Sequence, residues 1–234
     1  MWKKDYGGTE DKVFNSVCII NNRIYATGSN STHPTDTVAD GWVVKLDMNG
    51  TQLQETFLSY GHHPHHLQKE TLNGITPYSS NSFIVCGANF HDFIDSNSTT
   101  GLIERYDTSL IIIDSLTVKT LQQSVRYDTT SGYFVSFNKV VNISYGNVCL
   151  IGSAEGGNGG TNMFFELLTP ILGWYVFDLR HSGGHLNDFG YSGILSSQGR
   201  VIGVGSTQGF SGMPSNYCTN NNLGLEDFFF SEIQ

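Results

Sequence analysis

An all-β fold follows from three features of this 234-residue sequence. Charged residues are only 14% of the chain while 27 are glycine, and Asn, Ser and Thr are abundant. Such a composition suits short strands joined by polar turns; helices draw on Ala, Glu, Lys and Leu. Short apolar runs rich in Val, Ile and aromatics alternate with turn residues. Finally, a Gly that ends an apolar strand and precedes a small residue recurs. It appears as Ala26-Thr27-Gly28-Ser29, Val85-Cys86-Gly87-Ala88, Leu150-Ile151-Gly152-Ser153 and Gly203-Val204-Gly205-Ser206, at intervals of 59, 65 and 53 residues.

Each recurrence sits in a unit of four predicted strands, a to d. Strand a lies upstream of the Gly, at residues 14–20, 72–77, 133–141 and 191–195, and a short polar turn separates it from strand b, which the Gly ends. A long polar loop then leads to strand c, at residues 41–47, 102–107, 163–168 and 228–233. Strand d follows at 54–58, 111–118 and 174–179. In the first unit Asn49-Gly50 joins c to d, the dipeptide that best tolerates the positive φ of a hairpin turn. Four-stranded units at this period predict a β-propeller of four blades, roughly 9–58, 59–118, 119–179 and 180–234 plus 2–8, in a single domain over 1–234. The last unit lacks a strand d, and residues 2–8 match one, so the N-terminus is expected to close the ring and remove its open sheet edges. A fragment of a larger propeller would look the same.

The segments Trp2-Lys3-Lys4-Asp5-Tyr6-Gly7-Gly8, Tyr25-Ala26-Thr27-Gly28-Ser29 and Asp40-Gly41-Trp42-Val43-Val44-Lys45-Leu46-Asp47-Met48-Asn49-Gly50 resemble repeats of secreted, surface-associated β-propeller proteins of the Bacteroidetes. The resemblance is clear over about residues 1–60 and weak afterwards. It implies a propeller and an extracellular or envelope setting. It brings no catalytic residues, because its motif is made of turn and core positions.

The net charge is −9 with 12 Lys and Arg, scattered along the chain. A phosphate-tracking surface needs clustered basic residues, so nucleic acid is excluded as a partner and an anionic membrane is disfavoured. No apolar run reaches the roughly 20 residues of a membrane span, and residues 1–5 lack the apolar core of a signal peptide. Cys18, Cys86 and Cys149 sit in apolar strand patterns and read as buried thiols. With Cys218 they leave one disulfide open, and the absence of CxxC argues against structural zinc.

The a–b and c–d turns are short, whereas the b–c and d–a connections are long and would share one face, where binding residues concentrate. All eight histidines are assigned to that face: His33, His62, His63, His65, His66, His91, His181 and His185. Asp36, Asp40, Glu70, Asp92, Asp95 and Asp188 accompany them. Of the histidines, His62, His63, His65, His66, His181 and His185 would face one another across a four-bladed ring. Imidazole and carboxylate suit a divalent transition metal, and the cluster could instead titrate as a binding rim. The spacing matches no established metal motif, so a polar loop without ligand geometry is the first reading and no cofactor is assigned. Phe90, Phe93, Phe210 and Tyr217 lie on the same face and could stack on sugars or enter a protein interface. The inner strands carry Asn15, Ser16, Asn73, Thr76, Ser136, Asn138 and Ser192 rather than acids, which counts against paired-carboxylate hydrolysis and suggests a polar, water-lined axis. No GxSxG occurs.

Three functions remain open at this point. The first is a non-catalytic binding or scaffold propeller that engages a protein or glycan through its long loops. The second is a structural subunit of a larger surface assembly, and the third a metal-assisted enzyme with a His-lined axial site.

Overall fold

Every extended helix-or-strand element of the described chain is a β-strand: β1 (Asp11–Ile20), β2 (Arg23–Ser31), β3 (Asp40–Leu46), β4 (Gln52–Leu58), β5 (Gln68–Ser79), β6 (Ser82–Phe93), β7 (Ser96–Asp107), β8 (Ile112–Val118), β9 (Val135–Asn142), β10 (Val148–Glu155), β11 (Thr161–Thr169), β12 (Tyr175–Ser182), β13 (Asp188–Leu195), β14 (Val201–Thr207) and β15 (Asp227–Ile233). The computed structural model describes residues 2–6, 11–31, 39–58, 68–93, 96–118, 134–143, 146–155, 160–169, 175–182, 187–207 and 227–233. Four antiparallel sheets result, each with its strands in chain order: β1-β2-β3-β4 (sheet 1), β5-β6-β7-β8 (sheet 2), β9-β10-β11-β12 (sheet 3) and β13-β14-β15 (sheet 4). The repeat units read from the glycines are these sheets. Among the described residues no helix is long and apolar enough to cross a membrane.

Two kinds of turn make the hairpins. Between β1 and β2, Asn21 and Asn22 both take positive φ, 49° and 55°, the two-residue turn whose twist matches the flanking strands. The β3–β4 turn departs from the expected Asn-Gly form. Only Gly50 has positive φ there (76°), and the Asp47 carboxylate accepts the backbone N–H groups of Asn49 and Thr51. Those bonds, from Thr51 foremost, hold the Asp47 carboxyl below its usual range. The turn recurs after β7, where Asp107 accepts from Ser109 and Ile111, with Leu110 in the left-handed position at φ 60°. That conformation costs a branched residue about 1 kcal/mol. Burial of the Leu110 side chain between sheets 1 and 2 offsets it.

The sheets stack in chain order, so each has an upstream face on the side of lower residue numbers and a downstream face on the other, and a downstream face meets the upstream face of the next sheet. Alternation along each strand assigns the residues. Cys18, Ile20, Tyr25 and Val43 on the downstream face of sheet 1 meet Leu72, Ile75, Phe83, Val85, Leu102 and Tyr106 on sheet 2. Ile84, Cys86 and Ile103 of sheet 2 meet Phe137, Val140, Val148, Leu150, Phe164 and Leu168 of sheet 3. Val141, Cys149, Ile151, Met163 and Phe165 of sheet 3 meet Val201 of sheet 4. At Gly203 of sheet 4 an added Cβ would lie 2.5 Å from the Phe165 ring, so its missing side chain makes room for that ring. Cys18, Cys86 and Cys149 are free and buried, as expected, and burial pushes the Cys18 and Cys149 thiols up to about 12. Cys218 lies outside the described residues.

The N-terminal segment departs from the expectation. Residues 2–6 form no strand, and among the described residues sheet 4 has three strands rather than four. The segment instead lies against the β3–β4 turn of sheet 1. Trp2 Nε1 donates to the Met48 carbonyl at 2.8 Å, the Tyr6 hydroxyl donates to the Gly50 carbonyl, and Lys4 Nζ reaches Thr51 Oγ1 at 3.3 Å. Sheet 1 reaches the equivalent turn of sheet 2 in the same way. There Lys45 Nζ donates to the Thr108 carbonyl and Gln54 Nε2 to the Ser109 carbonyl, both at 2.7 Å. Residues 2–6 thus occupy, relative to sheet 1, the place that an upstream sheet's outer strands would take.

Candidate functional site

Register around the recurrent Gly explains its identity and exposes a feature that strand patterns alone do not show. In each sheet the strand opposite the Gly carries a bulge. The register shifts between Phe14 and Ser16, Leu72 and Gly74, Lys139 and Phe137, and Gly190 and Ser192, opposite Gly28, Gly87, Gly152 and Gly205. A bulge bends its strand and turns a carbonyl inward. A Cβ on Gly28, Gly87 or Gly152 would sit 1.7, 1.8 or 2.1 Å from the carbonyl oxygen of Val13, Thr71 or Ser136. No other residue fits there.

The bulged residue is Asn15, Asn73, Asn138 and, in the fourth sheet, Tyr191. Asn15 Nδ2 donates to the Leu72 carbonyl at 3.0 Å, Asn73 Nδ2 to the Phe137 carbonyl at 3.0 Å, and Asn138 Nδ2 to the Gly190 carbonyl at 2.6 Å. Neighbouring amides also touch, Asn15 to Asn73 at 3.4 Å and Asn73 to Asn138 at 3.3 Å. An asparagine ladder therefore runs along the first strands of the sheets and ties each sheet to the next at the same position. At these residues the amide Nδ2 groups are committed to backbone carbonyls of the next sheet. The ladder ends at Tyr191, whose hydroxyl lies 2.7 Å from Ser206 Oγ in its own sheet. The repeating signal was present in the sequence, an Asn 13 or 14 residues before the Gly, and its meaning depended on the bulge.

At the end of the sheets that carries the b–c and d–a connections, the backbone itself links neighbours. Ala39 at the start of strand c bridges Lys69 of sheet 2, with the Glu70 N–H donating to the Ala39 carbonyl at 2.6 Å. Thr99 bridges Phe134 ahead of sheet 3 in the same manner. Polar residues are buried at this end: Asn30, Glu70, Asn89, Thr99, Thr100, Asp188 and Thr207. Asn30 and Asn89 hold the same repeat position, and the Oδ1 of each is buried without a hydrogen-bond partner among the described residues.

Several expected loop residues are strand residues. In sheet 2, β6 and β7 pair from Ser82–Asp107 out to Phe93–Ser96, so Phe90, His91, Asp92 and Phe93 lie on a long hairpin because this connection stays extended and hydrogen-bonded. Phe90 pairs with Lys69 and Thr99, and its ring is exposed. His181 belongs to β12, opposite Phe164. Asp40 opens β3, Glu70 is buried on β5 and Asp188 on β13. His33, His62, His63, His65, His66, His185, Asp36, Asp95, Phe210 and Tyr217 lie outside the described residues, as do the side chains of His91, Asp92, Phe93 and His181. Among the described residues no three His, Cys, Asp or Glu side chains come together as a metal site.

Two carboxyls that sequence reading passed over are buried in the junctions. Glu104 and Glu166 occupy equivalent positions on strand c, facing upstream. Glu104 accepts from the Tyr106 hydroxyl at 2.5 Å. Glu166 is 2% exposed with Oε2 lacking a hydrogen-bond partner among the described residues, and burial raises its carboxyl to about 7. Both are enclosed between sheets.

Repeated antiparallel sheets locked by one ladder place the chain among all-β repeat proteins. No family model matches the sequence, and no curated protein matches it. Among solved structures, a hypothetical protein from Leishmania major is similar at 10% identity over 84% of this chain and 81% of that chain, with a TM-score of 0.30; at that score the likeness carries no argument.

Proposed function

We propose that the four sheets are blades of a β-propeller and that the protein is a non-catalytic binding scaffold which engages a glycan or a protein through the end bearing its b–c and d–a connections. The asparagine ladder carries this reading. Along the innermost strands, where a propeller enzyme would present acids to its axis, Asn15, Asn73 and Asn138 are bound to carbonyls of the next sheet. Chain-order strands within each sheet and contact between successive innermost strands also support it. The backbone-bridged end would present Phe90 and the histidine-rich connections, and the resemblance of the N-terminal units implies an extracellular or envelope setting.

An array of immobilised glycans tests the proposal, with Phe90→Ala as control. Binding that falls about tenfold in that variant, a loss of about 1.4 kcal/mol, with thermal midpoint unchanged, is the supporting result. Turnover of any bound glycan would overturn the non-catalytic reading. An array without hits, with no protein captured by the same face, would remove the binding role.

A further inference from the structure

The two ends of the stack display faces that are buried everywhere else. On the upstream face, Val17 of sheet 1 holds the position of Ile75 in sheet 2 and Val140 in sheet 3. Ile75 and Val140 are 2% and 1% exposed beneath a neighbouring sheet, whereas Val17 is 61% exposed. Phe14, Ile19 and Phe57 on the same face are also exposed, around the buried Trp42. On the downstream face, Ile194 of sheet 4 holds the position of Cys18 and Val141, both buried, and is 64% exposed. Ile202 and Val204 beside it are half-buried, where Ile84, Cys86, Cys149 and Ile151 at the same positions are fully covered.

We infer that these two faces belong together and that they meet between copies of this chain, sheet 4 of one copy packing on sheet 1 of the next. The junctions already in the molecule define the geometry: a downstream face always receives an upstream face. Among the described residues no core cluster joins sheet 4 to sheet 1. The sheet edges complement each other as well. Among the described residues sheet 4 has no strand beyond β15, and residues 2–6 of the receiving copy lie beside its sheet 1, held on the β3–β4 turn by Trp2, Lys4 and Tyr6. They would add to the free edge of β15 by main-chain pairing. At the ladder position sheet 4 presents the exposed Tyr191, whose hydroxyl can donate to the Phe14 carbonyl of the next copy as Asn15 donates to Leu72. An aromatic donor suits a surface that is exposed in the free chain and covered in the assembly. The contact is head-to-tail, so it propagates until a ring closes.

This inference goes beyond the proposed binding role and does not depend on what the loop-bearing end recognises. Sedimentation velocity of the purified chain over about a hundredfold range of concentration tests it. The sedimenting mass should rise with concentration, and more steeply in added salt, because copies of net charge −9 repel while the junction is apolar. Val17→Asp and Ile194→Asp should each abolish association without altering the circular dichroism, since both side chains are exposed. Mixed together they should form a dimer and nothing larger, because each variant keeps the face that the other has lost. A monomer at every concentration, association unchanged by Val17→Asp, or a mixture that stays monomeric would each overturn the inference.

Discussion

Ile75 and Val17 occupy one position of the repeat and meet opposite environments. Ile75 lies in the junction between sheets 1 and 2, under Cys18, Tyr25 and Val43. Val17 lies on a face whose cover reaches only as far as Tyr6, which packs on Trp42, Val44 and Leu46. The junction between sheets 1 and 2 is complete in four respects: an apolar core, an asparagine rung, a turn gripped by the neighbour's strands, and a buried carboxyl on strand c. The end of sheet 1 keeps only the grip on the turn, supplied by residues 2–6. The difference teaches that a sheet of this design is one half of a junction, and that its apolar side chains acquire their role only from the sheet laid against them.

The heaviest blow to that contrast would fall on the bulge. Gly87→Ala puts a methyl 1.8 Å from the Thr71 carbonyl oxygen and should cost about 4 kcal/mol or more, seen as a collapse of the urea midpoint. Gly199→Ala, at a turn with φ 78° and nothing near its Cβ position, should cost only about 1 kcal/mol of left-handed strain. Equal losses from the two would deny the bulge its special place.

Ile75→Ala should lose about 3 kcal/mol through a cavity in a packed core. Val17→Ala, at a concentration where the chain is monomeric, should change stability by no more than about 0.5 kcal/mol. A large loss at Val17 in the monomer would mean that its face is already covered within one chain.

Glu166 gives the junction a pH dependence. Its carboxyl ionises near 4.5 in the unfolded chain and at about 7 when buried. The folded protein therefore holds a proton that the unfolded chain has released. Stability from this group is greatest below pH 4.5, declines as pH rises toward 7, and is flat above. A shift of that size corresponds to about 3 kcal/mol. Glu166→Gln should remove this decline, so the difference in unfolding free energy between variant and parent should widen from pH 5 to pH 8. A difference that stays constant over that interval would show Glu166 ionised and compensated in the fold.

The finest test is of the rungs. Asn73→Ala strips a donor from Phe137 and a neighbour from Asn138 and should cost about 2 kcal/mol. Tyr191→Phe, where the hydroxyl meets only Ser206 at a half-exposed site, should cost less than about 1 kcal/mol. If the two losses match, the ladder contributes no more than a surface hydrogen bond.

Much of this arrangement could be read in advance. Recurrent Gly residues, polar turns and alternating apolar residues located the strands and their grouping into fours, because hairpins are local and their chemistry lies within a few residues. The position of Phe90 in a long hairpin could not be read, since Ser and Thr at residues 96–100 serve loop and strand equally well. His91, on the partner strand of that hairpin, reads as a loop residue for the same reason. Asn15, Asn73 and Asn138 were visible as a series on the inner strands, yet their acceptors are carbonyls more than 50 residues away in sequence.

By itself, then, the sequence determined the all-β class, the repeat and its register, since each depends on contacts between residues that are neighbours along the chain. Tertiary structure decided which faces are covered, which Glu has its carboxyl raised by burial, what the asparagines bind and where residues 2–6 rest. Those depend on burial and on partners brought in from the next sheet. A strand's own residues specify that it has an apolar face, and only the neighbouring sheet settles whether that face is core, as at Ile75, or an open surface, as at Val17.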